Sequence, residues 1–171
     1  MGDLMIKAAK KLKLMNPTYQ FFMPLSDSSH LDLFKEDMED FIHISYENSQ
    51  DILKKSSMAI ITSGTATLEA ALSFTPCIAV YKTNWLSYFL IKPLLHIDSF
   101  SLPNLILGKK FFPELLQSEA TIEKIISSVN LLEDRGFEFY RNEFTFIKEK
   151  LKAGGADKAS LEVLKLSLIH I

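Results

Sequence analysis

The chain has one cysteine, Cys77, in 171 residues. It can form no internal disulfide, so nothing points to an oxidising compartment. Inside the apolar run Cys77-Ile78-Ala79-Val80-Tyr81 the thiol reads as a small buried hydrophobe rather than a nucleophile or ligand. An excess of one charge is also missing. Nineteen Lys and Arg against 21 Asp and Glu leave a formal charge of −2, and no Lys/Arg block resembles a nucleic-acid-binding tail. No nucleic-acid partner is expected. No apolar run reaches the roughly 18–20 residues that span a bilayer. Residues 1–14 are amphipathic and Lys-rich, unlike a secretory leader. The expectation is a soluble protein, at most attached to a membrane surface. No His, Cys, Asp or Glu cluster has metal-ligand spacing, so neither a metal nor a cofactor is expected. Internal repeats and low-complexity linkers are lacking too. The length suits one domain, or a large part of a bigger one, with a substantial core.

What is present is organised around Met58-Ala59-Ile60-Ile61-Thr62-Ser63-Gly64-Thr65-Ala66-Thr67-Leu68-Glu69. The apolar run at 58–61 has the length of a buried strand. Thr62-Ser63-Gly64 is turn chemistry, with Gly64 free to take a positive φ. Residues 65–72 are rich in helix formers. A small-residue turn feeding a helix leaves several N–H groups unpaired, and the helix dipole adds partial positive charge there. Such a place suits a phosphate. Glu69, about one turn in, can accept hydrogen bonds from sugar hydroxyls beside it. Taken alone, the stretch fits a packing turn and a nucleotide site equally.

Along the chain, Leu4, Met5, Ala8, Ala9 and Leu12 mark one helical face, capped by Asp3 and ended by Asn16-Pro17. Strands are expected at 19–23 and 41–44, and short helices at 30–37 and 48–56. Thr75-Pro76 breaks the central helix, and 77–81 is another strand. Helices alternating with short unbroken apolar strands imply an α/β fold: a Rossmann-like parallel sheet with helices on both faces. Ligands of such sheets bind beyond the carboxyl ends of the strands, where Ser63-Gly64 lies. Residues 84–95 read as a core-packed helix whose Trp85 and Tyr88, with flanking lysines, leave an interfacial role open. Residues 101–108 read as a loop, and 113–117 as a short helix with Pro113 at its first position. Residues 121–132 form an amphipathic helix. A longer one carries Tyr140, Phe144, Ile147 and Leu151, Gly154-Gly155 ends it, and a last helix follows at 156–168. His43 reads as a structural strand-end residue, and His96 with Asp98 as a polar surface turn.

Three stretches together carry a family resemblance: Thr62-Ser63-Gly64-Thr65-Ala66-Thr67-Leu68-Glu69-Ala70, Ser101-Leu102-Pro103-Asn104-Leu105-Ile106 and Pro113-Glu114-Leu115-Leu116-Gln117. In this order, with Pro76 and Tyr81 between, they resemble the C-terminal half of bacterial lipid-A-disaccharide synthase, from Leu4 to about Leu166. The first motif is shared by UDP-sugar glycosyltransferases of the two-domain GT-B type. The other two are more particular to the synthase. The resemblance implies an inverting transfer of 2,3-diacylglucosamine from UDP-2,3-diacylglucosamine to 2,3-diacylglucosamine 1-phosphate, in the cytoplasm at the inner-membrane surface. It implies that Ser63, Gly64, Thr65 and Ala66 line the diphosphate, that Glu69 binds the ribose, and that Asn104, Glu114 and Gln117 face the donor cleft. Preorganised N–H groups could stabilise a departing diphosphate without a metal.

The chain is about half the family's usual length by that resemblance. The acceptor domain, with the acceptor-activating base, and the first strand of this domain, with its Gly-Ser-Arg motif, are expected to be missing. The catalytic residue is therefore unknown, and the fragment alone is expected to be inactive. The expected division is a partial nucleotide-sugar-binding domain at 1–134, C-terminal helices at 135–166, and a non-native tail at 167–171 that resembles a translated sequencing adapter. The competing readings are another GT-B UDP-sugar enzyme, of the peptidoglycan-precursor transferase or epimerase type, and a non-catalytic membrane-surface module.

Overall fold

A computed structural model of the chain describes residues 1–25, 40–62, 64–82 and 99–153. Ser63, His96, Asp98, the helices expected at 30–37, 84–95 and 156–168, and the tail at 167–171 lie outside the described residues.

The first helix, α1, runs Gly2–Met15 and buries Ile6, Ala8, Ala9 and Leu12. It begins before Asp3, so Met1 rather than Asp3 holds the cap position. Asp3 sits instead in the first turn, 2.9 Å from Lys7. Asn16 ends the helix in an extended conformation, as its place before Pro17 requires. Strand β1 (Phe21–Pro24) pairs in parallel with β2 (Ile42–Ser45), from Phe21 opposite Ile42 to Pro24 opposite Ser45. The strand expected at 19–23 runs one residue further, to include Pro24. The Leu25 N–H donates to Ser45 O at 2.9 Å, so Phe21, Met23 and Leu25 turn their amides to β2 and position 24 turns away. No described ladder lies on that side, and the missing proline N–H leaves no bond unmade.

Helix α2 (Ser49–Lys55) is capped by Asn48, whose side chain accepts from Gln50 N at 3.0 Å. The central unit follows: β3 (Ala59–Ile61), α3 (Gly64–Leu72) and β4 (Cys77–Tyr81). Helix α3 ends with Phe74 in the left-handed region at φ 61, and Thr75 N donates back to Ala70 O at 2.8 Å, closing the last turn.

Two expectations fail beyond β4. Residues 101–108 are not a loop but mostly helix α4 (Leu102–Leu107), with Pro103 in its first turn and Gly108 as a left-handed stop. That proline-in, glycine-out punctuation favours a helix. Residues 113–117 are not a helix but strand β5 (Glu114–Leu116), leading to a short 3-10 turn (Gln117–Glu119). Pairing with β4, from Ala79 opposite Glu114 to Tyr81 opposite Leu116, outweighs the local propensity of Glu-Leu-Leu. The last described element, α5 (Ile122–Ala153), joins the two helices expected there across a break at Gly136, φ 68.

The fold is α/β, with parallel sheets flanked by helices. The sheet is not continuous among the described residues: β1-β2 form one piece and β3-β4-β5 another. Helix α1 packs on both. Ala8 and Leu12 belong with Ile78, Val80, Phe112, Tyr140 and Phe144 in the main core, while Ile6 and Ala9 pack with Ile42. Phe21 touches both clusters. Aromatic stacking of Phe112 on Tyr140 and Phe144, at 5.7 and 5.6 Å, fixes α5 against the sheet.

Candidate functional site

Strand β3 delivers the chain to the site. Its carboxyl end, Ile61, lies three positions before Gly64, where α3 begins. Gly64 takes no positive φ; it opens the helix itself. A Cβ on it would stand 3.8 Å from Phe100 O, an ordinary contact. That contact also sets the start of α4 beside the start of α3. The described side chains leave the first N–H groups of α3 alone. Thr67 Oγ1 donates back to Gly64 O, and Glu69 Oε2 accepts from Ser49 Oγ at 3.4 Å. Thr65 is exposed and Ala66 half-buried, while Thr67, Ala70 and Ala71 face the interior. Glu69, three and four residues past Ala66 and Thr65, stacks behind them on the open face. Gly64, Thr65, Ala66 and Glu69 therefore share one surface.

The neighbouring helix mouth is different. Alternation along β5 sends Leu115 into the core and Glu114 toward the start of α4. There Glu114 accepts from Phe100 N at 3.2 Å, from Ser101 N at 3.0 Å and from Ser101 Oγ at 2.6 Å. Asn104 Nδ2 donates to the same carboxylate at 2.8 Å and to Phe112 O at 2.9 Å. Asn104 Oδ1 accepts from Phe111 N and Phe112 N, at 3.0 and 2.9 Å. Asn104, 1% exposed, thus spends its amide on the loop that carries β5 into place. A carboxylate fills the mouth of α4, whereas α3 has no such filling among the described residues.

Gln117 follows β5 in the left-handed region at φ 49, and its buried Nε2 finds no partner among the described residues. An unpaired buried amide on a strained backbone marks a place where structure has been subordinated to something else. Neither the strain at Gln117 nor the Glu114 carboxylate's role in holding α4 was legible from motif spacing. Ser101 before Leu102-Pro103, with Gly108 after Leu107, is the signal that could have revealed the helix and its mouth. Cys77, 1% exposed, is no nucleophile: burial first, then the Glu114 charge, push its thiol up to about 12.

One concavity among the described residues lies elsewhere. About 360 Å³ opens among Lys54, Ser57, Met58, Ser73, Pro76 and Phe137, at the amino ends of β3 and β4. Open parallel sheets bind ligands at the other edge, beyond the carboxyl ends of the strands, so the surface around α3 is preferred. Among the described residues no three His, Cys, Asp or Glu are grouped to hold a metal. No described helix is long and apolar enough to cross a membrane.

Comparison with known proteins decides the parentage. The family pattern of lipid-A-disaccharide synthetase matches residues 1–154. The chain belongs to the lipid-A-disaccharide synthase family. It is 33% identical over 165 residues to lipid-A-disaccharide synthase of Idiomarina loihiensis, covering 94% of this chain and 44% of that protein. Against lipid-A-disaccharide synthase 2 of Legionella pneumophila strain Paris the figures are 29%, 97% and 45%. The synthase of Persephonella marina is 38% identical over 130 residues, 75% of this chain and 33% of that protein. The chain thus spans less than half the length of these synthases. Residues 1–154 include the α3 surface, the Asn104–Glu114 network and Gln117, so all three lie within the synthase match.

Proposed function

We propose that this chain supplies the UDP-sugar donor site of a lipid-A-disaccharide synthase. The whole protein would transfer 2,3-diacylglucosamine from UDP-2,3-diacylglucosamine to 2,3-diacylglucosamine 1-phosphate, releasing UDP, at the inner-membrane surface of the cytoplasm. The observation that carries the reading is the start of α3. Its first N–H groups have no described side-chain partner, and Glu69 stands behind them on the same face. The diphosphate would take Ser63, Gly64, Thr65 and Ala66, and Glu69 would accept from the ribose hydroxyls. Gln117, with its unpaired Nε2, would donate to the sugar side of the cleft. Asn104 and Glu114 would shape that cleft from behind by holding the start of α4, with Glu114 the nearer to the donor. The N–H groups would stabilise negative charge that grows on the departing diphosphate. The base that activates the acceptor would come from the rest of the protein. Residues 1–134 would form the nucleotide-sugar unit, 135–166 the following helices, and 167–171 an extraneous tail.

The test is calorimetric titration of the folded chain with UDP, beside Glu69→Ala. Saturable heat from the unsubstituted chain, an affinity at least about tenfold lower in the variant, and unfolding free energies within about 0.5 kcal/mol of each other are the expected result. A cooperatively folded chain that gives no saturable heat with UDP overturns the reading.

A further inference from the structure

We propose that Ser49 is a positioning residue for the α3 surface: its hydroxyl holds one oxygen of the Glu69 carboxylate, so that the other meets the pentose hydroxyls of a bound nucleoside diphosphate. The inference rests on the donor-site reading above. It adds to that site the start of α2, which lies outside all three motif stretches.

A serine at the start of a helix ordinarily spends its side chain on a cap. Here Asn48 does that work. Its Oδ1 accepts from Gln50 N at 3.0 Å, and its carbonyl accepts from Asp51 N and Ile52 N at 3.0 and 3.3 Å. The Ser49 hydroxyl is left over, and it donates to Glu69 Oε2 at 3.4 Å. Among the described residues no other side chain donates to that carboxylate. The bond is long for a hydroxyl on a carboxylate. Such lengths are common at sites that tighten only when ligand arrives.

The helix that carries Ser49 cannot drift. Helices α2 and α3 lie against each other and are tied at two levels. Ser49 meets Glu69; four residues on, about 6 Å along the axis, Leu53 O accepts from Thr75 Oγ1 at 2.7 Å. Thr75 is 1% exposed and is fixed in turn by its own N–H, which donates to Ala70 O at 2.8 Å. Ile52, between the two ties in sequence, is buried. A buried anchor near one end of α2 thus sets where the exposed hydroxyl stands at the other.

Glu69 is half-buried and Ser49 exposed, so a ligand can reach the carboxylate. An ionised carboxylate offers about four lone-pair sites. Ser49 takes one, on Oε2, and leaves Oε1 open to a vicinal diol. Without Ser49 the ligand itself would have to order the Glu69 side chain, which costs affinity.

Calorimetric titration with UDP and with 2′,3′-dideoxy-UDP separates this from a merely structural role, because the second ligand keeps the diphosphate and lacks the hydroxyls. Ser49→Ala is expected to weaken UDP about threefold to tenfold while dideoxy-UDP stays within about twofold. Ser49→Thr, which keeps the hydroxyl, is expected to bind UDP within about twofold of the unsubstituted chain. In the Glu69→Ala background Ser49→Ala should add less than about twofold, since its partner is gone. A Ser49→Ala chain that binds UDP as the unsubstituted chain does overturns the proposal and leaves the donor-site reading standing. Equal loss of both ligands overturns it too, because α2 would then act on the fold alone, and so does a full loss added on top of Glu69→Ala. If UDP fails to bind at all, the donor-site reading falls and this proposal with it.

Discussion

Replacing Asn104 by alanine removes four hydrogen bonds from a side chain that is 1% exposed. Phe112 loses partners for both its N–H and its C=O, and it too is buried, at 2% exposed. Each buried polar group left unpaired costs about 1–3 kcal/mol. The Phe111 N–H and the Glu114 carboxylate are only half-buried, and water can take part of their loss. The sum is about 3–5 kcal/mol, in the range reserved for breaking a buried network. At about 2–4 °C per kcal/mol for a domain of this size, the unfolding temperature should drop by roughly 6–20 °C. Urea unfolding followed by circular dichroism gives the free energy, and the urea slope should stay unchanged, because the network is local. Asn104→Asp should recover part of the loss by keeping an acceptor for Phe111 and Phe112, but not all, because it faces Glu114. A loss under about 1 kcal/mol for the alanine variant would show that the network does not hold β5 and α4 together, and the account of the site's framework would be wrong.

Phe74 offers a second test. Its left-handed backbone disfavours any residue but glycine, yet its ring meets Phe144 at 5.7 Å. Both Phe74→Ala and Phe74→Gly should destabilise, the glycine variant by about 1 kcal/mol less; denaturation in which alanine is the better replacement would refute the strain. Cys77 should stay silent to a thiol reagent at pH 8 until the chain unfolds, and labelling of the native protein at the rate of a free thiol would contradict its burial. With a native value of about 12 against 9 unfolded, its contribution to stability is complete below pH 9 and declines between pH 9 and 12, because only the unfolded thiol ionises there. Unfolding free energies of the chain and Cys77→Ala should therefore converge over that interval. Gln117→Ala removes an unpaired buried amide, so stability should change by less than about 1 kcal/mol while affinity for a UDP-sugar falls; a large loss of stability would assign the amide a structural partner.

The strand–turn–helix at the centre was readable because every local signal agreed: an apolar run, small turn residues and helix formers in succession. Helix α1 and the two halves of α5 were readable for the same reason, their apolar faces recurring at helical spacing. Glu114-Leu115-Leu116 was not. Three residues carry no period, and only β4 alongside makes them a strand. The loop expected at 101–108 failed differently. Its Pro103 and Gly108 sit at the two ends of a helix, where each is favoured, and the six residues of that helix are too few to display a helical period. At the site, the motif located Gly64, Thr65, Ala66 and Glu69 on one surface. It could not disclose how far Asn104 and Glu114 are engaged with backbone, because those partners are fixed by the return of β5 to the sheet.

The carboxylate lodged in the mouth of α4 has a further effect. Two helices begin side by side, with Phe100 O close to Gly64, and the Glu114 carboxylate sits at the start of one of them, accepting from the two amides that precede α4. A diphosphate docked at the start of α3, as proposed, would have the Glu114 carboxylate as a fixed negative neighbour at the start of α4. On the proposed reading, the polarity of the bound molecule would be set from within the polypeptide: phosphoryl oxygens would steer away from Glu114, and the sugar they carry would be turned toward β5.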